Sequence, residues 1–504
     1  MALASTTRTA SASTAGKLNF YTPAWAGWDE HVVRWSSYKA PTFSAVFLPE
    51  TEEELSEGIA HLAKHRIPYL ATKIAGHGNS PTLGTYQDVI QVNLKHFRNI
   101  TINPENTVTV GGGAKWEDLI PRLRSAGREL TVGSFPCVGV HGVMLGGGMG
   151  RLMGTYGLTS DGLLRMKVAL WNGTIVEASD EALSDLFWAM RGAGHNFGVA
   201  IESTLQTWPD QGGLHYNADM VFTDESLAGV LTVANRLIRK GLDPAVGLVI
   251  GYLYNLELDK PVLMVNIVYA HDEEAGRKLV AQFSSTTTET ERPISRVFLN
   301  ETVLTFAELG SGDALPSVCR TDQYQNLYTA SSPTTFDVDA MIEVYDSYGR
   351  FLREHPAANA SILLFETTSR HRIDAFPDDH TAYPHRGRLG TNAIIQMTWK
   401  NDRISAAVDR WAKGARDSLA APAVSGDQRP HVYINYANAD EPPAAVYSYD
   451  PIRQARLSAL KRKYDPYGFF NAYHPIPLHP GQWNLLREGG WWSIPPFPRA
   501  CPGQ

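Results

Sequence analysis

The residues with the clearest chemical potential are a histidine set between glycines and a glycine-rich stretch further along the chain. The histidine lies in Ala75-Gly76-His77-Gly78, and the glycine-rich stretch runs from Thr131 to Asp161. Because glycine has no Cβ, its backbone N–H groups can approach a bound anion closely. Together the two segments predict loops that wrap around a phosphorylated cofactor.

Two common nucleotide-binding motifs do not account for these glycines. A Rossmann fingerprint requires G-x-G-x-x-G between a strand and a helix. In the run that begins at Gly146 the third glycine is replaced by Arg151, and in the run from Gly192 it is replaced by Phe197. The sequence also lacks G-x-x-x-x-G-K-[ST], which argues against an ATP-type P-loop.

Further motifs accompany these segments in a set order. They are Phe47–Ser80, Val110–Trp116, Val138–Asp161, Asp185–Pro209 and Tyr464–Pro477. In this order they resemble the FAD-linked oxidases with a vanillyl-alcohol-oxidase-type flavin domain, and within them the berberine-bridge-enzyme-like branch common in fungal secondary metabolism. The resemblance implies an α+β, two-domain PCMH-type (VAO-like) FAD-binding fold with an inserted substrate domain.

The resemblance also implies how FAD is held. It makes His77 the residue joined covalently to the 8α-methyl group of the flavin. Relatives with a second link carry a cysteine where this chain has Phe135, and a side chain two residues away in an extended segment is displaced by about 6–7 Å. A single link is therefore expected, with Cys137 a small packed thiol near the ring. The predicted cofactor-binding residues are Lys73, Ala75, Gly76, His77, Gly78, Asn79, Ser80, Gly133, Ser134, Cys137, Val138, Gly139, Val140, Gly142, Gly146, Gly147, Asp161, Val199 and Asn471.

The candidate catalytic residues are Tyr433, Tyr436 and Gln396. Both tyrosines belong to a stretch that resembles the family's Tyr-x-Asn-Tyr, and Tyr433 is the first choice for the base. Because the reference pKa of tyrosine is about 10, this role requires a positive partner or the flavin to stabilise the phenolate. Gln396 matches a polar position that lines the substrate cavity in relatives. Val138 matches the family's oxygen-access position, where a small residue is typical of oxidases.

These residues favour an FAD-dependent oxidase that acts on a small secondary metabolite. Hydride would pass from the substrate to the tethered flavin, and O2 would reoxidise the flavin and leave as H2O2. Two alternatives remain open at this stage. One is an FAD-containing cyclase without redox chemistry, and the other is a flavin dehydrogenase that excludes O2.

Regular elements must position these side chains. The Asn172-Gly173 pair predicts the turn of a hairpin over Arg165–Ala178. Later apolar or alternating runs predict an antiparallel sheet backed by helices. The predicted strands include Val246–Tyr254, Val262–Tyr269, Ser361–Thr367 and Ala393–Trp399, and the helices include Glu273–Phe283 and Arg403–Leu419.

The predicted organisation has four parts. Residues 1–40 form a flexible start and a docking segment, and residues 41–212 form the FAD-binding domain. Residues 213–429 form the substrate domain. Residues 430–504 return to complete the FAD domain and one wall of the active site.

Composition limits the remaining possibilities. The 504 residues are 43% hydrophobic and 19% charged, which is typical of a globular protein. A net charge of −7 gives no reason to expect nucleic acid. No histidine or cysteine spacing is typical of a metal site, so no metal is predicted. We expect a small-molecule substrate and O2 as partners, and a monomer or weak homo-oligomer.

Cysteine usage and the chain start predict a cytoplasmic protein. Three cysteines are too few for a disulfide framework in a chain of this length, which favours a reducing compartment. The first residues lack the apolar core of a secretion signal. No apolar run is long enough for a transmembrane helix.

Overall fold

The computed structural model describes residues 18–71, 76–283, 294–305, 308, 319–321 and 323–484. The strands are β1 (Phe20–Tyr21), β2 (Phe43–Phe47), β3 (Tyr69–Ala71), β4 (Val89–Val92), β5 (Ile100–Asn103), β6 (Thr107–Gly111), β7 (Arg128–Glu129), β8 (Leu163–Ala169), β9 (Ile175–Ser179), β10 (Val199–Gln206), β11 (Trp208–Pro209), β12 (Leu214–Phe222), β13 (Val246–Asn255), β14 (Lys260–Ala270), β15 (Arg296–Thr305), β16 (Tyr324–Ser332), β17 (Ile362–Thr368) and β18 (Thr391–Trp399). The α-helices are α1 (Trp28–Val32), α2 (Glu52–Lys64), α3 (Trp116–Ser125), α4 (Val140–Met144), α5 (Met153–Tyr156), α6 (Ser184–Ala193), α7 (Leu227–Lys240), α8 (Glu273–Ala281), α9 (Val338–Glu354), α10 (His371–Asp374), α11 (Ser405–Ala420), α12 (Pro422–Ser425), α13 (Pro443–Tyr447) and α14 (Pro451–Tyr464).

The N-terminal half of the described chain is built on three small sheets. Their strand orders are β1-β2-β4-β3, β5-β6-β10-β8-β9 and β11-β7. Helix α2 begins directly after Thr51, which caps it. The Thr51 hydroxyl accepts a hydrogen bond from the backbone N–H of Glu54 at 3.2 Å. Leu55, Ile59 and Leu62 then recur on one face of α2 and are buried.

The predicted hairpin is present. Strands β8 and β9 pair antiparallel, with Ala169 opposite Ile175. Gly173 occupies the turn with a φ of 84°, a conformation that residues with a Cβ rarely adopt. The local turn signal was therefore sufficient to place this element.

A larger antiparallel sheet dominates the middle of the chain. Among the described residues its strand order is β15-β12-β14-β13-β17-β18-β16. Because side chains alternate along a strand, each strand sends every second residue to one face. Leu248, Phe365 and Met397 point to the face that packs against α7, α9 and α11. The predicted antiparallel sheet backed by helices, and with it the α+β class, is confirmed.

The opposite face of this sheet helps to form the functional site. Val249, Leu364 and Ile394 alternate with the core residues and pack against Trp35, which lies before β2. Glu366 and Gln396 extend the same face, two residues beyond Leu364 and Ile394 along their strands. The pleat thus gives a single sheet a packed apolar side and a side that carries polar residues.

Candidate functional site

Two cavities adjoin at the loop that carries His77. The first is enclosed by this loop, by α4 and by the segment that starts at Phe469. The second is enclosed by Tyr433, Tyr436 and the polar face of the large sheet. The residues that line both cavities are His77, Asn79, Val138, Val143 and Asn435.

Glycine backbone forms much of the first cavity. Gly76, Gly78, Gly139 and Gly142 all line it. A Cβ built on Gly142 would meet no heavy atom within 4 Å, so this position faces open space. A bound molecule can therefore approach the main chain closely here.

Buried polar atoms without hydrogen-bond partners also surround the first cavity. Within the described ranges they are Arg34 Nε, Tyr69 Oη, Asn79 Nδ2, His141 Nδ1 and His195 Nδ1. Leaving such groups unpaired costs roughly 1–3 kcal/mol each. Their convergence on one cavity indicates that it is built for a ligand rich in hydrogen-bonding atoms.

His77 presents a neutral imidazole to both cavities. Burial, followed by the positive charges of Arg34 and Lys115, lowers the pKa of the ring to about 3. The ring stacks against Trp35, with the centroids 5.5 Å apart and the planes inclined by 25°. Because a neutral imidazole keeps a lone pair on one nitrogen, His77 is a competent nucleophile at neutral pH.

Tyr433 lies at the centre of a small set of donors in the second cavity. Its phenol oxygen accepts hydrogen bonds from Asn435 Nδ2 at 2.7 Å, Gly148 N at 3.0 Å and Met149 N at 3.4 Å. Burial raises the pKa of Tyr433 to about 12, although these three donors act in the opposite direction. Tyr433 is thus a neutral phenol at neutral pH, and its lone pairs are already engaged.

Tyr436 and Glu366 form a second polar group in this cavity. The Tyr436 hydroxyl donates to Glu366 Oε2 at 3.2 Å. Burial raises the pKa of Glu366, while the charge of Arg151 and the hydrogen bond from Tyr436 lower it. The Arg151 guanidinium is itself buried in the cavity wall, and its Nη1 atom has no hydrogen-bond partner among the described residues.

Sequence reasoning did not single out Glu366 or Arg151 as site residues. Glu366 interrupts the apolar run Ile362-Leu363-Leu364-Phe365, and a carboxylate within a buried strand is itself a signal for function. Arg151 is the residue that displaces the third glycine of a Rossmann fingerprint. Its position in the cavity wall is a second reason to single it out.

The three candidate catalytic residues do converge. Tyr433, Tyr436 and Gln396 all line the second cavity, although Gln396 is separated from the tyrosines in sequence. Among the predicted cofactor-binding residues, those that line one or both cavities are Gly76, His77, Gly78, Asn79, Gly133, Ser134, Val138, Gly139 and Gly142.

Other predicted cofactor-binding residues lie outside the lining of both cavities. They are Ser80, Cys137, Val140, Gly146, Gly147, Asp161, Val199 and Asn471. Ser80 Oγ instead donates to Asn438 O at 2.5 Å. Val199 packs in the core beside Ile201. Lys73 and Ala75 lie outside the described residues.

The triple glycine supports Tyr433 and lines neither cavity. Gly147 and Gly148 have φ values of 124° and 88°, and this backbone turns the N–H groups of Gly148 and Met149 towards the Tyr433 oxygen. A Cβ on Gly146 would lie 2.4 Å from Asn435 Oδ1. Glycine is therefore required here for conformation and for close packing.

The prediction for Cys137 was wrong. Cys137 is not a free packed thiol but forms a disulfide with Cys319, at a sequence separation of 182 residues. Its sulfur is therefore not available for a thioether link to the flavin. The bond also contradicts the expectation of unpaired cysteines, and with it the argument from cysteine usage for a reducing compartment.

Asp161 has a structural role in the described chain. Arg386 donates to both of its carboxylate oxygens, at 2.5 Å and 3.2 Å, and the two side chains are 2% and 1% exposed. Asp161 also accepts a hydrogen bond from the backbone N–H of Leu158 at 2.9 Å. The pair joins the glycine-rich segment to the loop before β18.

We expect Arg386→Ala to lower the free energy of unfolding by about 3–5 kcal/mol, because it leaves the Asp161 carboxylate buried without its cation. Urea unfolding followed by fluorescence measures this. The matched control is Lys278→Ala, which removes an exposed pair with Glu274 and should cost about 0–1 kcal/mol. Equal losses in the two variants would contradict the assigned role.

The fold is similar to that of solved oligosaccharide oxidases. A solved chitooligosaccharide oxidase matches with a TM-score of 0.75 at 21% identity, covering 92% of this chain and 97% of that chain. A glucooligosaccharide oxidase of Acremonium strictum matches with a TM-score of 0.78 at 18% identity, covering 92% and 96%. At these identities the likeness concerns the fold alone.

Sequence comparison gives the family. Residues 43–179 match the model of the FAD binding domain, and residues 432–477 match the model described as berberine and berberine like. The FAD-linked oxidoreductase srdI of Neurospora crassa is 31% identical over 88% of this chain and 86% of that protein. The FAD-linked oxidoreductase OXR1 of Pyricularia oryzae is 32% identical over 89% and 87%. The chain belongs to the berberine-bridge-enzyme-like FAD-linked oxidoreductases, as predicted, and it is an enzyme.

The residues of the first cavity fit FAD. The unpartnered polar atoms supply hydrogen bonds, and the glycines leave room for a close approach of the main chain. Arg34 adds a cation: its Nη2 atom donates to Gly78 O at 2.9 Å, and burial lowers its pKa only to about 10. This charge can balance a diphosphate.

Among the residues that the structure describes, none of the helices combines the length and the apolar character needed to cross a lipid bilayer.

Proposed function

We propose that this enzyme is an oxidase that removes a hydride from the carbinol carbon and a proton from the hydroxyl group of a small, largely apolar alcohol. His77 would hold the FAD, which would supply the hydride acceptor, and O2 would take up the two electrons and two protons and leave as H2O2. One observation carries the proposal. The partly buried Glu366–Tyr436 pair and the neutral His77 line the same cavity.

The lining of the second cavity supports an apolar substrate. Many of its side chains are aromatic or aliphatic. Most of its polar groups lie on the sheet face and in the Tyr433 segment, and the others are His77, Asn79, Ser134 and Arg151. A lining of this type binds a hydrophobic body and orients it through a few polar contacts. The apolar members are Trp35, Trp116, Phe135, Val138, Val143, Met149, Met153, Val249, Leu327, Leu364 and Ile394.

The proton acceptor in this proposal is Glu366, reached through Tyr436. As the substrate hydroxyl loses its proton to the Tyr436 oxygen, Tyr436 passes its own proton to Glu366 Oε2. The product is a carbonyl compound, and the carboxyl group holds the proton. This arrangement removes the need for a standing phenolate, which burial of Tyr436 disfavours by raising its pKa well above the ordinary value.

Tyr433 acts as a hydrogen-bond donor in this proposal, whereas the sequence favoured it as the base. Its lone pairs are occupied by Asn435 and the backbone of the triple-glycine segment. The Tyr433 hydroxyl hydrogen is still available for donation. Because Tyr433 lines the second cavity, it can donate this hydrogen to an oxygen of the bound molecule. Tyr433 would thus orient the bound molecule, with Gln396 as a further polar contact.

A single covalent link through His77 is proposed for the cofactor. The glucooligosaccharide oxidase of Acremonium strictum carries a 6-S-cysteinyl, 8α-N1-histidyl FAD. In this chain Phe135 lines the second cavity, and the sulfur of Cys137 is bonded to Cys319. Among the residues that the structure describes, only the histidyl half of such a link has a candidate residue to form it.

Val138 is proposed to admit O2 to the boundary between the two cavities, both of which it lines. We expect Val138→Leu to slow reoxidation by O2 about tenfold, equivalent to about 1.4 kcal/mol of barrier. Stopped-flow mixing of the reduced enzyme with oxygenated buffer measures this rate. Val138→Ala is the control and should react at least as fast as the wild type. A Leu variant that reoxidises at the normal rate would refute this role.

A test that needs no substrate addresses the oxidase assignment. The purified holoenzyme is reduced anaerobically with dithionite, freed of excess reductant and exposed to O2. An oxidase regains its visible flavin band rapidly and releases one H2O2 per flavin. Slow reoxidation that requires an artificial dye would instead identify a dehydrogenase.

A second test addresses the reaction. Aryl and allylic alcohols are mixed anaerobically with the oxidised enzyme, and oxidation by hydride transfer bleaches the flavin band as the carbonyl product forms. A rearranged product without bleaching would identify a cyclase. A protein that fails to bind FAD at all would overturn the proposal.

A further inference from the structure

Three polar residues from distant parts of the sequence meet outside the two cavities. Glu129 lies on β7, His215 lies near the start of β12, and His271 directly follows β14. Glu129 Oε1 is 2.9 Å from His271 Nε2, and Glu129 Oε2 is 3.5 Å from His215 Nε2. One ligand atom from each residue lies within 4.8 Å of the others.

Burial sets this cluster apart from an ordinary surface ion pair. The side chains of Glu129 and His215 are 0% exposed, and that of His271 is 14% exposed. Among the described residues, Glu129 Oε2 and both ring nitrogens of His215 have no hydrogen-bond partner. The His215 ring and Glu129 Oε2 are therefore buried polar groups that both lack a partner. Burying such groups is costly unless a further atom binds them.

The separation of these atoms suits a small cation. Zn²⁺ binds imidazole nitrogen at about 2.0–2.1 Å and carboxylate oxygen at about 2.0–2.2 Å, so tetrahedral ligands lie about 3.3 Å apart. The observed 2.9 and 3.5 Å bracket that value. Two imidazoles and one carboxylate favour a transition metal over Mg²⁺ or Ca²⁺, which prefer oxygen ligands.

A neighbouring hydroxyl holds the Glu129 carboxylate in place. Tyr156 donates from its hydroxyl to Glu129 Oε1 at 2.5 Å. Hydrogen bonds of this kind to a ligating group orient it and are common in metal sites.

The backbone adds an independent feature. His271 has a φ of 63°, in the left-handed region that residues with a Cβ seldom occupy. His271 lies in the turn between β14 and α8, and its ring contacts Glu129. Local strain of this type persists where surrounding structure requires a particular side-chain position.

We propose that Glu129, His215 and His271 bind one divalent transition-metal ion, with Zn²⁺ as the reference ion. The Tyr156 hydroxyl supports the Glu129 ligand, and water or this hydroxyl completes the coordination. None of the three ligands lines either cavity. The ion therefore has a structural role, because it joins β7 of the N-terminal half to the large sheet.

The test uses the FAD-loaded full chain. The protein is treated with a chelator, dialysed and titrated with ZnCl2, and bound zinc is measured by plasma mass spectrometry and calorimetry. We expect one zinc per chain and a higher melting temperature after zinc is restored. His271→Ala, at the most exposed ligand, should weaken zinc binding about a hundredfold or more. The matched control is His96→Ala, which changes an exposed histidine outside the cluster, and this variant should bind zinc normally.

X-ray absorption on the zinc-loaded wild type keeps the proposal testable if the variants fold poorly. The expected first shell contains only nitrogen and oxygen at about 2.0–2.2 Å, with the outer scattering of two imidazoles. Failure of the wild type to retain zinc would overturn the proposal and leave a hydrogen-bonded Glu-His-His cluster. Zinc retained equally by His271→Ala, or a sulfur ligand, would also overturn it.

Discussion

Glu366→Gln is expected to slow anaerobic flavin reduction by an alcohol substrate about a thousandfold, within the range of about 10²–10⁴ for loss of a general base. The substitution keeps the shape of the side chain but removes the site that receives the proton from Tyr436. Stopped-flow absorbance of the flavin band measures the rate, with the alcohol that reduces the wild type fastest. Binding of FAD should be unchanged, because Glu366 lines only the second cavity.

The pH dependence follows from the same carboxylate. Burial raises the pKa of Glu366, and only its ionised form accepts a proton. The reduction rate of the wild type should therefore rise as pH increases through this raised pKa. It should fall as pH drops below it, and the Gln variant should lack this limb. The pKa read from this rise in rate should lie above the ordinary range of a glutamate, as expected for Glu366.

Two controls separate this role from a general effect of charge. Glu177→Gln changes an exposed carboxylate on β9 and should leave the rate and the pH profile unaltered. Tyr436→Phe should reproduce the loss, and combining it with Glu366→Gln should add little, because the two residues act as a unit. A Gln variant that retains nearly full activity would show that the proton goes elsewhere.

His77→Ala is expected to abolish the covalent attachment of FAD. The wild type should keep its yellow colour in the pellet after acid precipitation, and its intact mass should exceed that of the polypeptide by one FAD. In the variant the colour should move to the supernatant and the extra mass should disappear. Turnover should also fall, because a histidyl link raises the reduction potential of the flavin in the family that the chain resembles.

Cysteine variants provide the matched comparison for this experiment. Cys137→Ser and Cys319→Ser break the same disulfide, and both should retain FAD in the acid pellet. Circular dichroism distinguishes loss of the link from loss of the fold. Covalent flavin in His77→Ala, or its release from Cys137→Ser alone, would place the attachment at another residue.

Features that depend on neighbouring residues were predictable from the sequence. The Asn172-Gly173 turn requires only local backbone freedom, and it is found where it was expected. The alternation along β18 placed Ile394 and Gln396 on one face, and both line the second cavity. The boundaries of elements were less well determined: the predicted helix Glu273–Phe283 ends at Ala281, because helix ends depend on local capping and on what packs there.

The glycine-rich stretch shows the limit of a motif. Its composition correctly indicated a cofactor-binding enzyme, but composition does not distinguish a glycine that faces a ligand from one that supports a turn. Gly142 faces the first cavity, whereas Gly147 helps to shape the turn that presents Gly148 N and Met149 N to Tyr433. The distinction depends on φ and on the packed neighbour, and both are properties of the folded chain.

By itself the sequence determined the family and the cofactor, because these follow from short segments whose residue types and spacing are sufficient. The attachment of the cofactor at His77 stays a prediction. Only the tertiary structure decided that Cys137 pairs with Cys319, that Glu366 meets Tyr436, and that Glu129 meets His215 and His271. These contacts join segments far apart in the chain. Their geometry depends on how the sheets and helices pack against one another, and local periodicity carries no information about that packing.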